Sequence, residues 1–210
     1  SFYRGRSRSL GGKTISFEEL ESLEWVVNEK PCGRMADWLS SARCLLAPES
    51  TLPFTIIGHG DAHNGNLFYS AQGLRIFDPA FAGRHDPFLD LTKPLFHNTF
   101  ARWMYFPEEV EKSTRAEVVY QGGRICIDHD FQPNEVELFF FNSKMKHVLY
   151  PFVVWLGEQG VLPTDWRERM RASLLCCPLL TVNLFDEQKY SPAMSALGFA
   201  MVAQMAIFDF

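Results

Sequence analysis

Little in this sequence points to a membrane, a nucleic acid or an oxidising compartment. The most apolar stretch, Ala193 to Phe208, is 16 residues long and contains Ser195 and Gln204. A helix needs about 20 apolar residues to cross a bilayer, so this stretch predicts a buried core helix. Basic residues are not in excess: 20 Lys and Arg face 25 Asp and Glu, a formal net charge of −5. That balance supplies no general attraction to phosphate backbones or anionic lipid. The one basic concentration, Arg4, Arg6, Arg8 and Lys13, precedes every acidic residue and is expected to be a solvated or cut end. The five cysteines are an odd number with no CxxC and no Cys/His ligand spacing. This argues against a disulfide framework or a zinc cage, and for reduced, mostly buried thiols in a cytoplasmic protein. No signal peptide, internal repeat or low-complexity linker is visible. A phosphate-binding glycine loop is missing as well. Gly12-Lys13-Thr14 is similar to the end of GxxxxGK[ST], but Ser7 stands where its first Gly belongs and no apolar strand precedes it.

What is present is a core. Of the 210 residues, 47% are hydrophobic, with 19 Phe and 5 Trp, enough for one substantial domain or one lobe of a larger protein. Ser16-Phe17-Glu18-Glu19 forms a capping box, with Ile15 and Leu20 placed as a hydrophobic staple. The stripe Leu20, Leu23, Val26 and Val27 then predicts a helix from Phe17 to Asn28. A second is expected over Met35 to Leu46, ending before Pro48. Thr55-Ile56-Ile57 is a short β-branched run. Leu67–Tyr69 and Leu74–Phe77 flank Ser70-Ala71-Gln72-Gly73 as a hairpin, and Val118–Tyr120 and Arg124–Ile127 flank Gly122-Gly123 as another. Asn134 and Glu137 suit the start of an apolar helical run to Leu156, kinked or broken at Pro151. Thr164 or Asp165 caps a helix through Leu175, and Ser191-Pro192 opens the last one. Few short strands among long helices predict an α-rich α+β fold. Phe139, Phe140, Phe141, Trp155 and Trp166 lie at helical spacing and are expected to be mostly core.

The chemistry concentrates in Gly58-His59-Gly60-Asp61-Ala62-His63-Asn64-Gly65-Asn66 and at Asp78. If the first hairpin pairs Tyr69 with Leu74 and Leu67 with Ile76, Asn66 falls beside Phe77, and Asp78 lies one step past the strand end. Asn66 and Asp78 then share the open mouth of the hairpin, with Asp61 in a Gly-flanked loop feeding it. An amide oxygen and a carboxylate there suit Mg²⁺, which completes its shell with water and phosphate oxygens. A second carboxylate, free of the metal, can orient a hydroxyl and accept its proton. These are the parts that phosphoryl transfer needs.

His59-Gly60-Asp61-x-x-x-x-Asn66 resembles the HGDxxxxN catalytic loop of the aminoglycoside phosphotransferases, choline kinases and their kinase-like relatives. Ile76-Phe77-Asp78-Pro79-Ala80-Phe81-Ala82-Gly83 resembles their metal-binding strand end, and Asp86-Pro87-Phe88-Leu89-Asp90-Leu91 their DPxxDL stretch. The resemblance implies Asp61 as catalytic base, Asn66 and Asp78 as ligands of Mg²⁺ on ATP or another nucleoside triphosphate, and His59 and Asp90 as supports of the loop. The detailed match covers about residues 55–95. It implies the mainly helical C-terminal lobe of a protein-kinase-like fold. Residues 1–50 would be an N-terminal helical segment, 51–95 the catalytic loop and metal-binding hairpin, and 96–210 a helical substrate-side region.

Such kinases also carry an N-terminal nucleotide lobe, which the 60 residues before Asp61 do not resemble; Lys13 and Lys30 are unassigned. With Ser1 rather than Met at the start, three explanations follow: one lobe of a longer kinase, a short variant that holds nucleotide differently, or a degenerate relative that only binds. The first expectation is an ATP:hydroxyl phosphotransferase acting on a small molecule, with no nucleic-acid or membrane partner; the sequence sets no oligomeric state. The rival is a non-catalytic kinase-like lobe serving as an interaction module, and a hydrolase with water as acceptor comes third. His63, Arg84 and His85 could face an anionic ligand. Glu135, Glu137, Asp165 and Glu168 are candidates only for a cationic acceptor, and Asp128, His129 and Asp130 are expected to be a polar hairpin exit.

Overall fold

The computed structural model describes residues 3–47, 54–79 and 81–210; Ser1, Pro48 and Ala80 lie outside them. The chain opens with a hairpin, β1 (Ser7–Leu10) and β2 (Lys13–Ser16), turned by Gly11 and Gly12 at φ +56° and +77°. Two consecutive left-handed residues are what a tight hairpin turn demands, so Gly12-Lys13-Thr14 serves a turn. The capping box then starts α1 (Phe17–Ser22), where Ser16 Oγ accepts from the Glu19 amide and the Glu19 carboxylate accepts from the Ser16 amide.

The helix expected to run to Asn28 stops at Ser22, and Glu24–Val27 is a strand, β3. Trp25 and Val27 are buried at period two, and the strand pairs with β4 (Lys30–Arg34) across a tight turn at Asn28 and Glu29. Pairing outweighs the helical spacing of Leu20, Leu23, Val26 and Val27. The described residues of this region, 3–47, therefore carry four strands, along with α1 and α2 (Met35–Leu45), in place of the expected helical segment.

Four short strands follow: β5 (Ile56–Gly58), β6 (Leu67–Ser70), β7 (Gly73–Ile76) and β8 (Gly83–His85). Then come α3 (Pro87–His97), α4 (Arg102–Tyr105), α5 (Pro107–Glu111), β9 (Ala116–Gln121) and β10 (Arg124–His129). The β9–β10 hairpin turns on Gly122 and Gly123, as expected. β10 also runs parallel to β3, so the larger sheet has the order β4-β3-β10-β9. The remainder is helical: α6 (Glu135–Lys144), α7 (Tyr150–Glu158), α8 (Trp166–Thr181) and α9 (Pro192–Ala206). A π-helical turn, Met145–Leu149, joins α6 to α7 directly before Pro151. Pro151 has no amide hydrogen to donate, and the wider turn is how the helix passes it. The architecture is mixed α+β.

Helix α9 is the centre of the core. Eleven of its residues are buried, and it packs against α8, β1, β3, β9 and β10. Arg8 is no solvated end: it is buried, donates to Ser195 Oγ on α9 and to the Tyr190 carbonyl, and pairs with Glu187 at 3.0 Å. Helix α8 extends two turns past Leu175 because Cys177 and Leu179 remain buried. It packs against α2, α3 and α9. Helix α6 departs from expectation the other way and buries no residue; Phe139 and Trp155 are exposed, and of the five named aromatics only Trp166 is buried.

Gly198 marks the closest approach in this core. A Cβ there would collide with the Leu184 side chain and lie 2.9 Å from the Trp103 ring. Gly198→Ala is expected to destabilise by about 1–3 kcal/mol through overpacking, despite the better helix propensity of Ala. A lowered urea midpoint with unchanged slope would show this, and an unchanged midpoint would mean that the ring yields.

Candidate active site

The loop from Gly58 to Asn66 leaves β5 and enters β6 through one turn of 3₁₀ helix at Asn64–Asn66. One carboxylate on α3 holds its start: Asp90 accepts from the His59 amide at 2.8 Å and the Gly60 amide at 2.5 Å. That approach requires glycine at 58, where a Cβ would strike the Asp90 carboxylate and the His85 ring. Gly60 is left-handed, at φ +79°, and a Cβ there would strike the Phe81 carbonyl. The two glycines are steric conditions of the loop.

His59 supports the loop from its side chain. Its Nδ1 accepts from the Asp61 amide at 3.2 Å, so Nε2 carries the proton and donates to the Phe77 carbonyl at 2.9 Å. His63 caps the 3₁₀ turn, its Nδ1 accepting from the Gly65 amide, which turns Nε2 toward Asp61 Oδ2 at 3.9 Å. Asn64 is pinned by a two-way amide pair with Asn98 just past α3.

The hairpin has the expected register, Leu67 opposite Ile76 and Tyr69 opposite Leu74, and tightens further by pairing Ser70 with Gly73. Asn66 accepts from the Phe77 amide at 3.1 Å, so Asp78 directly follows the residue paired with Asn66. The buried Asn66 donates from Nδ2 to the Asp61 carbonyl at 2.9 Å and stands 3.5 Å from Asp61 Oδ2. No described residue donates to Asn66 Oδ1. Asp78 is exposed at φ +54° and has no described partner. Two oxygen donors without protein partners fit a hard cation that keeps water and phosphate oxygens in its shell. Among the described residues, no group of three or more His, Cys, Asp and Glu side chains could hold a metal.

Asp61 has a partner that the motif does not include. Lys93 on α3 donates from Nζ to Asp61 Oδ1 at 2.9 Å. Burial opposes ionisation of Asp61, but the hydrogen bond and charge of Lys93, with His63 and His97 behind it, outweigh burial and hold the carboxyl below its ordinary range. Asp90, Lys93 and His97 are spaced i, i+3 and i+7, one face of α3; extending the helical period from Asp90 would have found Lys93. His97 bonds Tyr105 at 2.6 Å through Nδ1. Burial, then Lys93 and His63, push it down to about 4.

Of the other candidates, His85 reaches the Asp90 anchor and the rest do not converge here. Arg84 bonds Thr55, and His85 stands 3.3 Å from Asp90. Glu137 caps α6 and pairs with Arg102, Asp165 pairs with Arg169, and Glu168 pairs with Arg171. Asn28 bonds both the amide and the carbonyl of His129, while Asp130 accepts from the Arg115 amide. All five cysteines are free; Cys32 and Cys177 are buried and Cys44 is exposed.

Part of this chain is similar to a thiamine kinase. Over 89 residues, 42% of the chain, it is 33% identical to the protein of that name from Shigella boydii serotype 4 (strain Sb227). The match spans about a third of that relative's length, 32%. No family model and no solved structure matches the chain. No helix among the described residues is long and apolar enough to cross a membrane.

Two outcomes are expected of this geometry. Asp90→Asn would set an amide NH₂ or a single oxygen against two backbone donors and cost about 1–3 kcal/mol. Hydrogen exchange at His59 and Gly60 would then accelerate ahead of the core, whereas unchanged protection would remove Asp90 as the anchor. His97, depressed from 6.5 to about 4 on folding, binds a proton more readily unfolded. Its contribution, on the order of 3 kcal/mol, is complete above pH 6.5 and is lost as pH falls toward 4. His97→Gln should flatten that part of the stability–pH curve; an unaltered slope would contradict the assignment.

Proposed function

We propose that this chain belongs to an ATP-dependent phosphotransferase that moves the γ-phosphoryl group to a hydroxyl of a small molecule. The observation that carries the reading is Asp61, an ionised carboxylate in a loop pinned at both ends, beside a hairpin mouth bearing Asn66 and Asp78. The partial similarity to a thiamine kinase supports the same chemistry. Asp61 Oδ1 is taken by Lys93, which leaves Oδ2 to accept the hydrogen bond of an acceptor hydroxyl. With its pKa lowered, Asp61 is a weak base. It serves by aiming the hydroxyl and takes the proton late, as suits a loose phosphoryl-transfer transition state. Asn66 Oδ1 and the Asp78 carboxylate would hold Mg²⁺, which when bound neutralises phosphate charge. His59 and Asp90 are positioning residues: they fix the backbone that presents Asp61. The protein-kinase-like lobe and the boundaries at residues 50 and 95 belong to this proposal. So do the nucleotide and the absence of nucleic-acid and membrane partners.

The test is thermal stability with and without Mg-ATP, followed by turnover. Nucleotide at ten times its dissociation constant should add about 1.4 kcal/mol, a rise in Tm of roughly 3–6 °C. The rise should require magnesium and vanish in Asp78→Ala. Asp61→Asn should keep the rise and lose about 10²–10⁴ in turnover. A nucleotide effect indifferent to magnesium and to Asp78, or full turnover in Asp61→Asn, would overturn the assignment. Absence of any rise would favour an interaction module.

A further inference from the structure

We propose that the acceptor is an alcohol on an apolar body without positive charge, seated in a cavity beside Asp61, and that Lys93 sets this preference. The inference rests on the phosphotransfer reading above and names its substrate class. The cavity, about 610 Å³, runs between α3 and α8 and reaches the loop at Gly60. That volume suits a small organic molecule. Leu46, Leu89 and Leu180 supply apolar wall, and among the described lining residues Lys93 is the only charged one. Lys93 is also the link to the chemistry, since its Nζ is bonded to Asp61 Oδ1.

Four further observations decide the charge. An ammonium has three donors and Asp61 takes one, so the remaining N–H groups favour a neutral or anionic oxygen and repel a cation. Phe81, an aromatic side chain on the lining, already has the Lys93 ammonium over its ring at 5.8 Å. The thiols of Cys176 and Cys177 bring no negative charge, because burial pushes them up to about 11 and about 12. Of the acidic side chains suited to a cationic acceptor, Glu137, Asp165 and Glu168 are paired with arginines, and neither they nor Glu135 lines the cavity. The cavity also holds an unspent polar group. Ser173 is 5% exposed and its Oγ has no hydrogen-bond partner, although a helical serine can bond back to its own helix. A buried hydroxyl left unpaired is a cost that a ligand oxygen would relieve.

The test uses three probes with a common phenylpropyl skeleton and one hydroxyl: neutral 3-phenylpropan-1-ol, anionic 3-phenyllactate and cationic phenylalaninol. Dissociation constants are measured by NMR titration of the full chain without nucleotide, and phosphoryl transfer is then followed with Mg-ATP. The neutral and anionic probes should bind at least about tenfold more tightly than phenylalaninol. Lys93→Met, which leaves the Asp61 carboxylate without its cation, should abolish the preference or turn it toward phenylalaninol, while Lys93→Arg keeps it. Tighter binding of phenylalaninol or of thiamine than of the neutral alcohol would overturn the proposal. So would failure of every probe to bind, or a preference that survives in Lys93→Met. The two readings fail separately. Charge preference without Mg-ATP-dependent transfer removes the kinase and leaves the cavity, and transfer without preference does the reverse.

Discussion

The Asp90 carboxylate, accepting from the amides of His59 and Gly60, ties the loop to the folded core. It lies in the first turn of α3, where unsatisfied helix amides favour negative charge. Two charge-assisted bonds to adjacent amides fix the peptide planes on both sides of His59, and the His59 ring then takes the Asp61 amide. Gly58 follows from this contact, since a side chain there would strike the Asp90 carboxylate, whereas Gly60 is required by its left-handed φ and by the Phe81 carbonyl. Helix α3 is itself anchored, because Phe88, Thr92, Leu95 and Phe96 are buried and it packs against α8. Arg169 on α8 pairs with Asp86 at the start of α3 and donates to the Leu45 carbonyl at the end of α2. Core packing thus reaches the Asp61 backbone through one helix and one carboxylate.

The same helix sets the electrostatics. Asp90 is spent on backbone donors and Lys93 on Asp61, so α3 contributes one charge of each sign with different tasks. Burial opposes ionisation of Asp61, and the hydrogen bond and charge of Lys93 outweigh it. His97 stays neutral close by, pushed down by burial and by Lys93, so it adds no second positive charge. The result is an ionised carboxylate with one oxygen occupied and one available, a state suited to orienting a hydroxyl rather than to strong deprotonation.

Local chemistry was legible in the sequence and long-range pairing was not. The register of the β6–β7 hairpin followed from turn length and period two, which placed Asn66 beside Phe77. The caps at Ser16, Asn134 and Ser191 and the buried helix α9 were equally local signals. Strand β3 reads as helix in the sequence because its decisive partner, β10, lies about a hundred residues away. The π-helical turn before Pro151 could be foreseen only as a break. Lys93 and Asn98 fell outside the quoted motifs; Lys93 lies on the face of α3 that Asp90 defines, and Asn98 caps that helix. Arg8 reads as solvated in the sequence because a run of arginines near a chain start carries no sign of its distant partners, Ser195 and Tyr190.

Asp78 shows how these constraints meet. The Phe77 amide is bonded to Asn66 and its carbonyl to His59, so neither peptide flanking Phe77 is free to turn. Pro79 follows, and a residue before proline is disfavoured in the right-handed helical region. The change of direction out of the ladder therefore falls on Asp78, which takes φ +54° at a cost of about 1 kcal/mol. Among non-glycine residues, Asp and Asn bear that conformation best. Aspartate here satisfies the backbone and at the same time places an unpartnered carboxylate at the hairpin mouth, one residue beyond the partner of Asn66. Glycine would relieve the strain and remove the ligand, whereas glutamate would keep the charge and meet the left-handed backbone at greater cost. The turn and the proposed metal site thus select the same residue.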